Sequence, residues 1–176
     1  LGLSHLHDLK VIHRDVKPDN FLLGGPDGRS VKLCDFGMAI TLPREGGERK
    51  GCHGTAPYMS PEMVAESGHA LSTDIWSYSA TLFVLVYRNY PFAPKDRSSQ
   101  AMKLAVLQGH PEPRYKRSWS KPVAPSLEHL IKALLVRKAE DRPTVQQVLL
   151  MPFLNYSLDS AWWLRCTSKS ATSLGA

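Results

Sequence analysis

The chain has 176 residues, 43% of them hydrophobic, and a formal net charge of +6. This length and composition allow one domain with a sizeable core and exclude a disordered chain. Its 22 lysines and arginines are mixed with 16 acidic residues rather than gathered in one basic block. A mildly basic, solvated surface is therefore favoured over a nucleic-acid-binding segment, while acidic or phosphorylated partners stay open.

The N-terminal part of the chain predicts one helix and one hairpin. The leucines of LGLSHLHDL have helical spacing, and because this pattern is already under way at Leu1 we expect further sequence upstream. FLL (21–23) and VKL (31–33) predict two short strands, joined by a turn at GGPDG. No periodicity follows from Met38 to Met59, which predicts a long functional loop.

Two further helices are predicted in the middle of the chain. The polar residues STD (72–74) are candidate caps for IWSYSATLFVLVY, a stretch that is apolar almost all round and that Asn89 and Pro91 end. SSQAMKLAVLQG predicts the next helix, which ends at Gly109.

The last helices are predicted from an apolar face and from a cap. Ser126 is a candidate cap for an amphipathic helix. The apolar face of this helix is formed by Leu127, Leu130, Ile131, Leu134 and Leu135. Thr144 and Gln147 have the spacing of a capping box for a last helix that ends near Met151.

A small β segment followed by a run of helices predicts an α+β fold that is mostly α. We place one domain over residues 1–154. The stretch 155–176 is rich in Ser and Thr, which predicts a flexible tail. Trp162 and Trp163 in this tail could dock on the domain or bind a partner.

The cysteines and the apolar stretches indicate the cellular environment. Cys34, Cys52 and Cys166 are scattered without CxxC spacing, which favours reduced thiols over a zinc site or a disulfide framework. The longest apolar stretch, 80–87, is too short to cross a bilayer, and no signal peptide is visible. We therefore expect an intracellular, cytoplasmic protein without a membrane or a nucleic acid among its partners.

The most informative stretch is VIHRDVKPDN (11–20). It holds a carboxylate, an amine and an amide at fixed spacing, in Asp15, Lys17 and Asn20, between apolar residues that predict a position near a core. HRD followed after four residues by Asn20, and the later triplet DFG (35–37), match the catalytic loop and the metal-binding triplet of protein kinases. The chain therefore resembles the C-terminal lobe of a eukaryotic protein kinase over residues 1–154, which implies a short β hairpin and several helices.

The resemblance implies a role for each of these residues. Asp15 would orient the acceptor hydroxyl and accept its proton, and Lys17 would meet the γ-phosphate of ATP. Asn20 and Asp35 would supply oxygen ligands to Mg²⁺. Leu22 would form the floor of the adenine pocket.

HRDVKPDN resembles the serine/threonine form of this loop, since tyrosine kinases typically carry an Ala-rich version. By the same resemblance, the Thr55 hydroxyl bridges Asp15 and Lys17 and marks the acceptor pocket. The implied function is transfer of the ATP γ-phosphate to Ser or Thr hydroxyls of a protein substrate, with Asp15, Lys17, Asn20 and Thr55 as catalytic residues and with ATP and Mg²⁺ bound.

Other matches to the family are architectural. Glu62 and Arg142 resemble a buried ion pair between the activation segment and the last helices. Asp74 resembles the buried carboxylate that holds the catalytic-loop backbone. His13 and Phe36 would stack on each other, which makes His13 a packing residue rather than a base.

The loop before Pro61 contains further matches to the kinase family, and the predicted helix of IWSYSATLFVLVY contains one departure from it. Cys52, Ala56 and Met59 match positions that line the pocket for the residue after the acceptor, which predicts an apolar residue there. Ser79 replaces a glycine that is usual in the family, with an expected effect on helix packing only.

The activation segment, residues 35–62, departs from the family at Gly51. This is the usual position of activating phosphorylation, and glycine cannot be phosphorylated. We therefore predict that activity does not need a phosphate at this position. Glu45 or Glu48 could supply a fixed negative charge to Arg14 instead.

The 176 residues contain neither a Gly-rich phosphate loop nor a Val-Ala-Ile-Lys strand, so they hold only half of an ATP site. We expect negligible kinase activity from this polypeptide alone. Two interpretations remain: a fragment of an active kinase, or a catalytically inactive lobe that acts as a binding or scaffold module. The intact Asp15, Lys17, Asn20 and Asp35 favour the first. The sequence does not indicate an oligomeric state.

Overall fold

The computed structural model describes residues 1–26, 28–43, 47–116 and 122–159, with side chains described up to residue 155. Its α-helices are α1 (Gly2–Asp8), α2 (Pro61–Val64), α3 (Ser72–Tyr87), α4 (Ser99–Gln108), α5 (Pro125–Leu134), α6 (Val145–Leu149) and α7 (Pro152–Asp159). Its strands are β1 (Val11–Ile12), β2 (Phe21–Gly24), β3 (Ser30–Leu33) and β4 (Ile40–Thr41). The fold is α+β and mostly helical, as predicted.

The strands form two small antiparallel sheets, and both sheets position loops. β2 and β3 form the predicted hairpin, with Phe21 opposite Leu33 and Gly24 opposite Ser30. We call residues 13–20 the polar loop. β1 pairs with β4, which anchors the start of the polar loop to residues 40–41, where the sequence predicted no strand. A strand of two residues is too short to show a periodicity, so this pairing could not be predicted.

Helix α3 is the centre of the core, as its apolar sequence predicted. Ile75, Trp76 and Phe83 are each 1% exposed. Ile75 packs against α5 and α6, Trp76 packs against Phe92 and α4, and Phe83 packs against Ile131 of α5. The helices are therefore gathered around one element, whose N-terminal end contacts the polar loop.

The structure moves two of the predicted helix caps. α3 begins after Leu71 and α5 begins after Ala124, and neither helix has a side-chain cap hydrogen bond. The cap predictions at 72–74 and at Ser126 are therefore wrong. Asp74 is engaged by another segment, and α5 starts at a proline, whose missing N–H suits the first helical position. The capping box before α6 and the end of α4 at Gly109 are confirmed.

The C-terminal end has one helix more than the sequence predicted. α6 ends at Leu149, and α7 then continues to Asp159, past the expected domain boundary at residue 154. The proline at the start of α7 suggests a helix end in the sequence, but here it occupies a first position. The predictions for Trp162, Trp163 and Cys166 lie outside the described residues. None of the described helices is both long and apolar enough to span a membrane.

Ser79, the departure from the usual glycine, links two helices. Its hydroxyl is fully buried and donates a hydrogen bond to the Ile131 carbonyl of α5 at 2.8 Å. We expect Ser79→Ala to lower the free energy of unfolding by about 1 kcal/mol, because this carbonyl keeps a second bond from Leu135 N–H. Urea unfolding measures the change, with the exposed Ser99→Ala as the control. Equal effects of the two substitutions would contradict this role of Ser79.

Candidate active site

Asp15, Lys17 and Thr55 form one closed cluster of side chains. The Thr55 hydroxyl donates a hydrogen bond to Asp15 Oδ1 at 2.7 Å. The Lys17 ammonium lies 2.8 Å from Asp15 Oδ2 and 2.9 Å from the Thr55 oxygen. The folded chain thus brings together a carboxylate, an ammonium and a hydroxyl from two separate loops, in the arrangement that the resemblance implied.

Asn20 supports this cluster from the buried side. Its amide nitrogen donates to the Asp15 backbone carbonyl at 2.7 Å and lies 3.3 Å from Asp15 Oδ2. Because the nitrogen faces Asp15, the amide oxygen is the atom that Asn20 can offer to a metal ion. The Asn20 backbone carbonyl accepts hydrogen bonds from the N–H of Cys34 at 2.9 Å and from its thiol at 3.3 Å. These bonds fasten the residue just before Asp35 to the polar loop.

The pKa of Asp15 lies below its ordinary value. Burial alone raises this pKa, but the hydrogen bonds from Lys17 and Thr55, together with the charge of Lys17, outweigh the burial. Asp15 is therefore a carboxylate at neutral pH. A charged carboxylate can accept a hydrogen bond from an incoming hydroxyl, which is the first requirement of a residue that orients an acceptor.

The buried carboxylate of Asp74 holds the backbone of the polar loop, as the resemblance implied. Its two oxygens accept hydrogen bonds from the N–H groups of His13, at 2.8 Å, and of Arg14, at 2.9 Å. Arg14 has a φ of 66°, a left-handed conformation that is uncommon outside glycine, and the two hydrogen bonds to Asp74 help to hold this conformation. His7 of α1 also lies on Asp74, with Nε2 3.1 Å from Oδ2. The sequence reasoning missed His7, although a polar residue among the leucines of α1 was a signal.

The triplet 35–37 follows β3 and leaves its carboxylate accessible. Asp35 is exposed, and its Oδ1 accepts a hydrogen bond from Gly37 N–H at 3.2 Å. Phe36 contacts His13 edge-on, with the ring centroids 5.2 Å apart. His13 is fully buried, with Nε2 3.0 Å from the Cys34 carbonyl, so it packs and bonds rather than acting as a base. Among the described residues, no hydrogen bond joins Asp35 to Asn20 directly.

Leu22 presents an apolar surface at the outer side of the hairpin. Its side chain is 56% exposed, and the neighbouring Leu23 and Val31 are exposed as well. An exposed leucine in this strand fits the predicted floor of an adenine pocket, because such a floor must be open to the base.

Glu62 and Arg142 form the ion pair that the resemblance implied. The guanidinium donates two hydrogen bonds to the carboxylate, at 2.7 and 2.8 Å, and the Arg142 side chain is fully buried. It also donates to three backbone carbonyls, those of Ser72, Val136 and Arg137. One arginine thus connects the segment after Thr55 with α3 and with the loop before α6.

Cys52, Ala56 and Met59, the predicted lining of the pocket for the residue after the acceptor, all lie within four positions of Thr55 in the chain. The sulfur atoms of Cys52 and Met59 are 3.6 Å apart, and Ala56 and Met59 are buried. Cys34 and Cys52 are both free thiols.

Arg14 is not paired with the acid that the sequence suggested. Its side chain donates to the Met38 carbonyl, and burial together with the nearby charge of Arg49 lowers its pKa, against a smaller opposing effect of Asp74. The Glu48 side chain lies against Gly68 instead. Within the described ranges no ion pair joins Arg14 to a carboxylate, so the prediction for Glu48 is wrong.

The other candidate for this charge, Glu45, lies outside the described residues.

Gly54 is required immediately before Thr55. Its φ is +104°, and a Cβ atom at this position would overlap the Arg14 carbonyl oxygen. We expect Gly54→Ala to displace Thr55 and to lower the free energy of unfolding by about 1–3 kcal/mol, because both the conformation and the contact become strained. Thermal unfolding measures the loss. Gly2→Ala is the control, since nothing lies within 4 Å of a Cβ atom there. A loss no larger than that of the control would contradict the steric argument.

The comparison with known families agrees with this geometry. The family model of the protein kinase domain matches residues 1–154. The chain belongs to the protein kinase family.

Its relatives include several serine/threonine kinases. The chain is 35% identical to the human serine/threonine-protein kinase Nek5 over 158 residues, which cover 88% of this chain and 21% of the relative. It is 34% identical to the Drosophila melanogaster serine/threonine-protein kinase polo over 156 residues, which cover 89% of this chain and 25% of the relative. It is 35% identical to the Schizosaccharomyces pombe MAP kinase kinase skh1/pek1 over 161 residues, which cover 87% of this chain and 42% of the relative. The chain spans less than half the length of each of these relatives.

Proposed function

We propose that this chain is the C-terminal lobe of a serine/threonine protein kinase, which transfers the γ-phosphate of ATP to Ser or Thr hydroxyls of protein substrates. The observation that carries the proposal is the closed cluster of Asp15, Lys17 and Thr55, with the Thr55 hydroxyl 2.7 Å from the Asp15 carboxylate. A hydroxyl is already bonded to the carboxylate that would orient the acceptor. The serine/threonine kinases among the relatives support the same substrate class.

In this proposal each residue has a role that follows from its position. Asp15 orients the acceptor hydroxyl, since its lowered pKa keeps it charged. It takes up the hydroxyl proton as the phosphoryl group is transferred. Lys17 supplies positive charge beside that hydroxyl, and Asp74 keeps the loop backbone in place.

The residues present also fit the expected cofactors. The amide of Asn20 and the exposed carboxylate of Asp35 offer the oxygen donors that Mg²⁺ prefers. When bound, ATP supplies the phosphoryl group and Mg²⁺ neutralises its charge. Asn20 and Asp35 would hold the metal ion, and Leu22 would contact the adenine.

A catalytically inactive lobe that binds partners is the alternative. One observation favours it, namely the exposed apolar side chains of Leu22, Leu23 and Val31 on the hairpin. Such a surface can bind another protein or another part of the same protein. A binding module would not need the cluster of Asp15, Lys17 and Thr55, and for this reason we favour the kinase.

Phosphate transfer in two polypeptides tests the proposal. The first is the 176-residue chain, and the second is a two-lobe polypeptide that joins an N-terminal kinase lobe, such as that of the polo relative, to Leu1. Each is incubated with Mg-ATP and Ser- or Thr-containing peptides, and mass spectrometry detects the product, with Ala-containing peptides as the control. We expect transfer by the two-lobe polypeptide and none above background by the 176 residues alone. A folded two-lobe polypeptide that binds Mg-ATP but transfers no phosphate would contradict the proposal.

A further inference from the structure

A groove of about 280 Å³ lies between the loop after α3 and the loop after α4. Three cationic residues line it, Lys95, Arg97 and Arg114, together with one acidic residue, Glu112. All three cations are exposed, and we call this surface the basic groove. None of the residues to which we have assigned a role in phosphate transfer lines this groove.

The positive charge of the basic groove is only partly neutralised from within. Among the described residues, none of the three cations forms an ion pair. Asp96, which lies between Lys95 and Arg97 in the chain, adds one negative charge beside the groove. Its two oxygens accept hydrogen bonds from the N–H and the hydroxyl of Ser98, both at 2.8 Å, and these bonds lower its pKa. Among the residues that line the groove, Glu112 is the one acid, and three residues are cations.

The groove is also shaped by rigid and neutral groups. Its walls include three prolines, Pro91, Pro94 and Pro111. The Arg97 guanidinium lies 5.9 Å from the centre of the Tyr90 ring and 3.3 Å from the Asn89 side-chain oxygen, so neutral partners hold this cation. A wall that is already ordered loses little entropy when it binds a ligand.

Two aromatic rings connect the basic groove to the acceptor site. Tyr90 lines the groove, and its ring contacts Tyr58 edge-on, with the centroids 5.8 Å apart. Tyr58 in turn donates its backbone N–H to the Thr55 carbonyl at 2.9 Å. Burial, contact with Tyr90 and the charges of Asp19 and Asp15 raise the pKa of Tyr58. An extended segment that passes the acceptor site could therefore reach the groove.

We propose that the basic groove binds an acidic segment, rich in Asp or Glu, of the protein that the kinase phosphorylates. This inference rests on the proposed function, because only a kinase would have this bound protein as its substrate. Its physical basis is charge complementarity, which contributes more to specificity and to the rate of association than to affinity. The groove would thus select substrates that carry acidic residues near the acceptor Ser or Thr.

Peptide binding without nucleotide tests the inference on the full 176-residue chain. The probes are two fluorescein-labelled peptides of twelve residues with one Ser, the first with four Glu and the second with Gln at the same four positions. Fluorescence anisotropy at low salt is expected to give a dissociation constant about tenfold smaller for the Glu peptide, and this difference is expected to shrink as salt is added.

Two matched double variants locate the binding surface. Lys95→Glu with Arg114→Glu is expected to weaken binding of the Glu peptide by about tenfold or more. Lys32→Glu with Lys138→Glu changes the net charge equally at exposed lysines outside the groove, and it is expected to leave binding within about threefold. Circular dichroism verifies folding, and the same sites changed to Gln replace the first variant if it does not fold.

Equal affinity for the Glu and Gln peptides would overturn the inference, and so would an equal loss in both double variants. Displacement of the Glu peptide by inorganic phosphate at similar concentrations would also overturn it, because the groove would then be an anion site rather than a peptide site. None of these measurements requires catalysis. Binding of the Glu peptide without phosphate transfer by the two-lobe polypeptide would contradict the proposed function and leave the binding surface intact.

Discussion

Asp15→Asn is expected to lower the rate of phosphate transfer by the two-lobe polypeptide about 10²–10⁴-fold. The substitution keeps the shape of the side chain and an oxygen that can accept the Thr55 hydrogen bond, but it removes the charge that would orient and deprotonate the acceptor. The affinity for Mg-ATP is expected to change by less than about twofold, since Asn20 and Asp35 would hold the metal ion. Single-turnover transfer measures the rate, and a fluorescent ATP analogue measures the affinity.

Two further variants make this result specific. Asp19→Asn is the control, because Asp19 is an exposed acid in the same loop and the substitution changes the charge equally. We expect it to transfer phosphate at close to the original rate. Asp35→Ala is expected to weaken Mg-ATP binding instead. Equal losses of affinity in Asp15→Asn and Asp35→Ala would contradict the separate roles.

Arg142→Ala is expected to lower the free energy of unfolding by about 3–5 kcal/mol. The side chain is fully buried, and its removal would leave the Glu62 carboxylate, whose side chain is only 12% exposed, without its partner. The backbone carbonyls that the guanidinium contacts would also lose hydrogen bonds. Urea unfolding of the 176-residue chain, followed by circular dichroism, measures the loss.

An exposed ion pair provides the control for this prediction. Lys132 and Glu128 lie one turn apart on α5, with the ammonium 2.6 Å from the carboxylate and the lysine 51% exposed. Lys132→Ala is expected to cost only about 0.5–1.5 kcal/mol. Water already solvates both charges of the ion pair, and the ammonium also loses its contact with the Tyr115 ring, whose centre lies 4.6 Å away. If Arg142→Ala costs no more than this control, burial does not determine the strength of the Glu62–Arg142 pair.

The Glu62–Arg142 pair also predicts a dependence on pH. Burial alone raises the pKa of Glu62, but the hydrogen bonds and the charge of Arg142 outweigh it and hold the pKa below its ordinary value. A lowered pKa means that the stabilisation is present above the pKa of the unfolded chain and is lost as the pH falls through the folded value. The difference in unfolding free energy between the original chain and Arg142→Ala should therefore narrow in acid. A difference that stays constant from neutral pH to about pH 3 would contradict this.

The residues of the polar loop could be identified as a candidate site because they are neighbours in the chain. Asp15, Lys17 and Asn20 lie within six positions of one another, and their spacing carries the resemblance to kinases. The same resemblance placed Thr55 on Asp15, and the structure brings these two side chains together. Apolar periodicity likewise predicted the helices of the core, because it reports directly which face is buried.

Contacts between distant parts of the chain could not be predicted where the resemblance to kinases does not cover them. The bond between His7 and Asp74 joins residues 67 positions apart, and the bond between Ser79 and Ile131 spans 52 positions. No local pattern in the sequence identifies the partner residue of either bond.

The caps were wrong because residue type alone does not determine where a helix begins. Asp74 is a good cap by residue type but accepts the N–H groups of His13 and Arg14, and α5 begins at Pro125, before Ser126.

The most direct test of the account is the position of the acceptor hydroxyl. A crystal structure of the two-lobe polypeptide with Mg²⁺, a non-hydrolysable ATP analogue and a Ser-containing peptide would give the distance from the serine oxygen to the Asp15 carboxylate. The account predicts a hydrogen bond of about 2.6–3.2 Å, with Lys17 beside it. A bound serine whose oxygen lies on another group, with Asp15 still engaged only by Thr55 and Lys17, would contradict the proposed role of this site.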